Sequence, residues 1–181
     1  MLKKCCFTGY RPEKLPYLRD EKSANYQKLQ QLLATAVSEA IEDGYNYFIS
    51  GFARGIDLMA AEIVVSRSDP GIILEAAIPC LNQTRGWRQS DMELYRELLS
   101  QAKYKCYLDK VGNRASYLKR NRYMVEKSQR IIAVYDGQSG GTAHTLHYAR
   151  KLQREIVLIN PVAFTVIRPE PNLFTQTPLD L

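Results

Sequence analysis

No apolar run in this chain approaches the ~20 residues needed to cross a bilayer, so no membrane partner is expected. The opening stretch Met1–Tyr10 is too short and too broken for a signal peptide, which makes a cytoplasmic protein the expectation. Four cysteines are present, Cys5, Cys6, Cys80 and Cys106, but no C-x-x-C pair and no histidine at zinc-ligand spacing from them. That pattern excludes a zinc ribbon and favours buried free thiols in a reducing compartment over disulfides. Only two histidines occur. His144 and His147 stand three apart, a spacing that can hold a metal, but no third ligand is in view and no metal is expected. No G-K-[ST] follows any glycine, which excludes a Walker A loop. No complete G-x-G-x-x-G occurs, so dinucleotide hydride chemistry has no direct support.

What is present is ordinary core material, with 45% hydrophobic residues in 181 and a net charge of +6. The length fits one domain, and the charge is compatible with a phosphorylated or polyanionic ligand. Strand-like runs at Lys4–Thr8, Asn46–Ser50, Ile72–Ile78, Tyr104–Leu108, Ile131–Tyr135 and Ile156–Ile159 alternate with helical patterns. The clearest helix carries Leu29, Leu32, Leu33, Ala36, Val37, Ala40 and Ile41 at i, i+3, i+4 spacing and closes at Asp43-Gly44. The others run from about Gly55 to Arg67, through Met92–Ala102, Ala115–Lys127 and Ala143–Leu152. The alternation predicts an α/β fold, a mostly parallel sheet of about six strands with helices on both faces. Residues 1–160 form the expected domain. The tail 161–181, with four prolines and no period, reads as extended or partly disordered.

Ligands in such sheets bind beyond the carboxyl ends of the strands. Two turns there point to an anion. In Phe48-Ile49-Ser50-Gly51-Phe52-Ala53-Arg54-Gly55-Ile56-Asp57 a strand breaks into a glycine-containing turn and a helix start. Ser139-Gly140-Gly141-Thr142 repeats that arrangement after a later strand. Exposed N–H groups and a helix dipole at each turn suit a phosphate; a tight turn that binds nothing is the plain alternative. Arg11, Arg54 and Arg85 lie in the same set of loops, and Trp87 either stacks on a base, closes a lid or anchors its loop. Asp57 falls in a first helical turn, where a carboxylate is favoured with or without a catalytic role; Glu62 is expected to be exposed. Lys119, Arg120, Arg122, Lys127 and Arg130, with Tyr117 and Tyr123 interleaved, fit either a nucleic-acid face or a solvated helix with inward tyrosines.

Taken in order, Gly9-Tyr10-Arg11-Pro12, the S-G-x-A-x-G-I-D string at Ser50–Asp57, Lys119-Arg120-Asn121-Arg122 and Ser139–Thr142 resemble the SLOG superfamily. That grouping joins the Smf/DprA DNA-processing proteins to the LOG phosphoribohydrolases, and the small size, the Gly-Tyr-Arg-Pro opening and the Trp87 loop are most similar to its stand-alone YpsA-like branch. The resemblance covers about residues 3–161. It implies a Rossmann-like three-layer sandwich that binds a nucleotide or related phosphorylated ligand, and frequent homodimers; a nucleotide of the AMP, NAD or ADP-ribose type is the expected occupant, with sensing and catalysis both open. The positions that match its site are Gly9, Arg11, Ser50, Gly51, Arg54, Gly55, Asp57, Gly140, Gly141 and Thr142, with Asn121 expected to face the pocket; the loops read above add Tyr10, Trp87 and Ser139 as candidates. Two further readings follow from it: an N-glycosidic hydrolase of nucleoside phosphates with Asp57 as acid–base group, and a DprA-like module for single-stranded nucleic acid. The LOG pattern P-G-G-x-G-T-x-x-E carries its glutamate three positions after the threonine. Here that position is Thr145, whose hydroxyl cannot act as general base.

Overall fold

In the computed structural model, which describes residues 2–169, the strand and helix patterns fold into one sheet covered on both faces. The strands are β1 Lys3–Thr8, β2 Tyr45–Ser50, β3 Ile73–Ile78, β4 Tyr104–Tyr107, β5 Arg130–Val134, β6 Glu155–Asn160 and β7 Thr165–Ile167. Between them lie α1 Ala24–Glu42, α2 Ile56–Ser66, α3 Gln89–Gln101, α4 Arg114–Lys127 and α5 Gly141–Lys151. Six of the strands pair in parallel and β7 runs antiparallel to β6.

Alternation along each strand sorts side chains into two cores. Cys5, Phe7 and Phe48 point to the face covered by α1, α2 and α3, where Leu29, Leu33, Val37, Ile56 and Leu98 meet them. Cys6, Tyr47, Ile49 and Ile131 point to the other face, against Met124 and Val125 of α4 and Ala149 of α5. The result is the expected three-layer Rossmann-like sandwich. Cys5, Cys6 and Cys80 are buried free thiols and Cys106 is half-buried; burial pushes the Cys6 thiol up to about 12, which keeps it unreactive.

Two parts of the chain depart from the sequence expectation. The segment from Pro12 to Asp20, read as loop, contains a short 3-10 turn at Pro16–Arg19. The residues after Pro161, expected to be extended or partly disordered, supply the extra strand β7, whose three residues are too few to show a period. Positions 170–181 of that tail lie outside the described residues.

The sheet order is β4-β3-β2-β1-β5-β6-β7. The chain steps outward from β1 to β4, then returns to place β5 on the other side of β1. That reversal leaves a crevice beyond the carboxyl ends of β1 and β5, the place where open α/β sheets bind ligands.

Candidate functional site

A cleft of about 860 Å³ opens at this reversal, within the range of small-molecule sites. Its walls come from the loop after β1 (Gly9, Tyr10, Arg11, Glu13, Lys14), the start of α2 (Ala53, Arg54, Asp57), α4 (Arg114, Tyr117, Arg120, Asn121) and the start of α5 (Gly140, Gly141, Thr142, His144). Five Arg or Lys side chains line it against two carboxylates, so its field favours an anion.

The floor is a buried ion pair. Arg120 Nη1 donates to Asp57 Oδ2 at 3.1 Å, with both residues 6% exposed. Burial raises the Asp57 carboxyl above its ordinary range, and Arg120, the Ala53 N–H and Arg11 oppose that rise. Arg120 Nε has no hydrogen-bond partner and is buried. Arg120 reaches the floor because Ser116, Arg120 and Met124 are buried at successive i+4 positions of α4. A cation on an inward stripe requires a buried partner; that spacing is the signal which could have added Arg120 to the site residues. As a member of the basic run, Arg120 fits either a nucleic-acid face or a solvated helix, and neither places it on the floor of a cleft.

The turn after β2 is closed upon itself. Ser50 Oγ donates to the Asp57 carbonyl at 2.7 Å and accepts from the Phe52 N–H at 3.2 Å. The Gln83 amide donates to the carbonyls of Gly51 and Phe52. A Cβ on Gly51 would stand 1.5 Å from Arg120 Nη1, so this glycine makes room for the guanidinium rather than for a ligand. Gly55 holds φ +88°, and a Cβ there would stand 2.5 Å from the Tyr10 carbonyl oxygen; Phe52 sits at φ +50° with its ring edge-on to Tyr95. Ser50, Gly51 and Gly55 do not line the cleft; Asp57 and Arg54 do. Arg54 is already engaged, 2.6 Å from Glu13 and 3.8 Å from Asp91.

The turn after β5 is open. Gly140 has φ +147°, no side chain caps the first turn of α5, and Gly141 has nothing within 4 Å of a built Cβ. Unsatisfied N–H groups at such a helix start suit an anion. Ser139 does not line the cleft, and its carbonyl accepts from Lys14 Nζ at 2.7 Å. Tyr10 spans the two turns: its carbonyl accepts the Ile56 N–H at 3.2 Å and its hydroxyl donates to Asp136. Among the described residues neither Arg11 nor Arg114 has a carboxylate partner. The Arg11 guanidinium lies 5.3 Å from the Tyr117 ring centre.

The remaining candidates fall as follows. Trp87 is half-buried, packs edge-on against Tyr95 at 5.6 Å and underlies Arg54, so it anchors its loop and does not line the cleft. Arg85, in that loop, is exposed and does not line the cleft. Asn121 does line it. Glu62, expected to be exposed, is half-buried; burial raises its carboxyl, and Glu21 and, on α3, Glu97 raise it further. Thr145 is buried and donates to the Gly141 carbonyl at 2.9 Å. His144 and His147 are both exposed, and no cluster of three metal-ligating side chains occurs among the described residues. The basic run is divided: Arg120 goes to the floor, Arg130 pairs with Asp43 and Glu155, and Tyr123 donates to Glu75.

Comparison with known proteins agrees with this geometry. The model of the YspA SLOG family matches residues 5–165. UPF0398 proteins of Bacillus thuringiensis (strain Al Hakam) and Bacillus cereus (strain AH187) are each 28% identical over 162 residues, 86% of either chain. Among solved structures, DNA processing protein A (DprA) of Streptococcus pneumoniae superposes with a TM-score of 0.59 at 16% identity, covering 88% of this chain and 50% of that one. DNA processing protein A of Helicobacter pylori, whose structure concerns its single-stranded DNA binding mode, gives 0.58 at 20% identity, covering 87% and 65%. At those identities the likeness is one of fold.

Proposed function

The chain belongs to the YspA SLOG family, and from that premise we propose that it binds a nucleotide or nucleotide derivative by its phosphates in the cleft beside β1 and β5. The observation that carries this reading is the uncapped Gly140-Gly141-Thr142 turn, which shares one cleft with Arg11 and Arg114, two cations with no carboxylate partner among the described residues. The phosphate would meet N–H groups of α5 and these guanidiniums, and the Tyr117 ring offers the base a stacking surface. A sensing or carrying role in the cytoplasm fits better than hydrolysis. The two carboxylates of the cleft are engaged, Asp57 with Arg120 and Glu13 with Arg54, and Thr145 spends its hydroxyl on its own helix.

The test is thermal unfolding with AMP, NAD and ADP-ribose at millimolar concentration, and with a 20-residue oligothymidine to register a nucleic-acid strand using the same cations. Saturation at a hundred times Kd adds about 2.7 kcal/mol to stability, an increase in Tm of several degrees. Arg11→Ala should cut the affinity tenfold or more while leaving the ligand-free Tm unchanged, because Arg11 is exposed. The reading fails if none of the mononucleotides or dinucleotides raises Tm, or if Arg11→Ala leaves the shift intact. A shift with the oligothymidine alone would assign the cleft to nucleic acid.

A further inference from the structure

We propose that the open edge of β4, together with the groove beside α4, is a docking strip for an extended acidic segment of a partner protein, which joins the sheet as an added strand. β4 terminates the sheet and pairs only with β3 among the described residues. An unpaired edge is a template for strand addition, and proteins that leave one open usually blunt or use it. This edge carries no proline, and every residue of β4 except Cys106 is exposed.

Beside it runs a groove of about 420 Å³. Leu108 forms one side and Ala115, Leu118, Lys119, Arg122 and Tyr123 of α4 the other. These helix positions recur at i, i+3, i+4, i+7 and i+8, so one stripe of α4 lines the groove, with Ala115, Lys119 and Arg122 exposed and Leu118 and Tyr123 half-buried. Continued to Glu126 the stripe is about 16 Å long at 1.5 Å per residue, the length of a five-residue strand at about 3.3 Å per residue. An extended segment lying along β4 would set alternate side chains into this groove.

The charge selects the occupant. Lys103 and Lys105 on and before β4, Lys110 after it, and Lys119 and Arg122 in the groove outnumber the acidic groups near them among the described residues: Asp69 beside Lys103, Asp109, and Glu126, which already accepts from the Tyr148 hydroxyl, while Lys119 Nζ donates to the Leu108 carbonyl at 2.7 Å. A second copy of the same edge would bring ten such cations together, which like-charge repulsion opposes. Single-stranded nucleic acid needs a run of stacking rings. Tyr104 registers with Glu75 and Tyr107 with Ile78, three residues apart and therefore on opposite faces of the sheet. An acidic strand with apolar residues at alternate positions satisfies both the groove and the rim.

The experiment uses the full chain and a fluorescein-labelled decapeptide of alternating glutamate and valine. Three controls accompany it: the same peptide N-methylated at every second amide, its lysine-for-glutamate counterpart, and a 20-residue oligothymidine. Anisotropy at low salt should show saturable binding of the acidic peptide, weakened at least tenfold by N-methylation, by Lys105→Glu and by Ala115→Trp. Both substituted positions are exposed and lie outside the nucleotide cleft, so far-ultraviolet circular dichroism should be unchanged. The proposal is overturned if the acidic peptide does not bind, if the lysine peptide binds as well, or if neither substitution alters the affinity. Self-association abolished by Lys105→Glu would assign the edge to a second copy, and oligothymidine binding abolished by it to nucleic acid.

Discussion

Two turns of this protein share one design, a strand that breaks at glycine and opens a helix, and they serve different ends. The turn between β2 and α2 is sealed. Its hydroxyl, its carbonyls and its carboxylate are all consumed inside the protein, by Phe52, Gln83 and Arg120. The turn between β5 and α5 is exposed, uncapped and borders the cleft. A glycine in such a turn therefore has two possible clients. At Gly51 the client is a guanidinium of the same chain, and at Gly141 it is whatever enters from solvent. The longer and more specific sequence string marks the scaffold, and the shorter one marks the border of the open cleft.

The sharpest way to break this comparison is Gly51→Ala. The added methyl would overlap Arg120 Nη1 and drive the guanidinium off Asp57, leaving a buried carboxylate unpaired. Such losses cost about 3–5 kcal/mol, measurable by urea unfolding. The cost belongs to the ion pair only if it vanishes with the pair. A Cβ there would also stand 2.6 Å from Asp57 Oδ2, so the clean background is Asp57→Ala with Arg120→Ala; in it, Gly51→Ala should add less than about 1 kcal/mol, and the mutant cycle returns a large coupling. Additive costs would mean that Gly51 serves the backbone, and the contrast with Gly141 would lose its basis.

The distinction between sealed and open turns explains what could be read beforehand. Helices and parallel strands were legible because their periods repeat over many residues, as in Leu29, Leu33, Val37 and Ala40 on α1. β7 was not, since Thr165–Ile167 offers three residues and one partner strand. The site was legible as a set of loops but not as a set of roles. Ser50, Gly51 and Gly55 belong to the right turn, yet their neighbours decide whether they face a ligand. Arg120 lies 63 positions from the carboxylate that buries it, and no local pattern carries that pairing. Trp87 has equal claims on a ligand and on its own loop from sequence, and its edge-on packing on Tyr95 is a contact that only the fold supplies.

A smaller effect tests the residue that joins the turns. The Tyr10 phenol is pushed up to about 12, by burial first and then by its hydrogen bond to Asp136. A phenol whose folded value exceeds its unfolded value of about 10 contributes stability in full below pH 10, and that contribution is lost as pH rises through 12. Each such tyrosine gives a slope of about 1.4 kcal/mol per pH unit in that window. Tyr17, Tyr26 and Tyr95 are raised to similar values, so the whole protein should lose stability steeply there. Tyr10→Phe should reduce the slope by one proton's share. An unchanged slope would mean that the phenol is not held against Asp136 and that the turns are joined by backbone alone.

The smallest effect completes the comparison by reversing its sign. Gly141 stands in the first turn of α5 without a positive φ, and a Cβ there meets nothing within 4 Å. Alanine at such a position restricts the unfolded chain and adds about 0.4–1 kcal/mol of stability, readable as a raised urea midpoint with an unchanged m-value. The same methyl would intrude where a phosphate approaches the helix start, so nucleotide affinity should fall while stability rises. One substitution, glycine to alanine, thus destabilises the sealed turn and stabilises the open one. If Gly141→Ala also destabilises, the second turn is scaffold like the first, and the anion site loses its backbone half. If it stabilises and leaves affinity intact, the ligand is held by Arg11 and Arg114 without the α5 N–H groups.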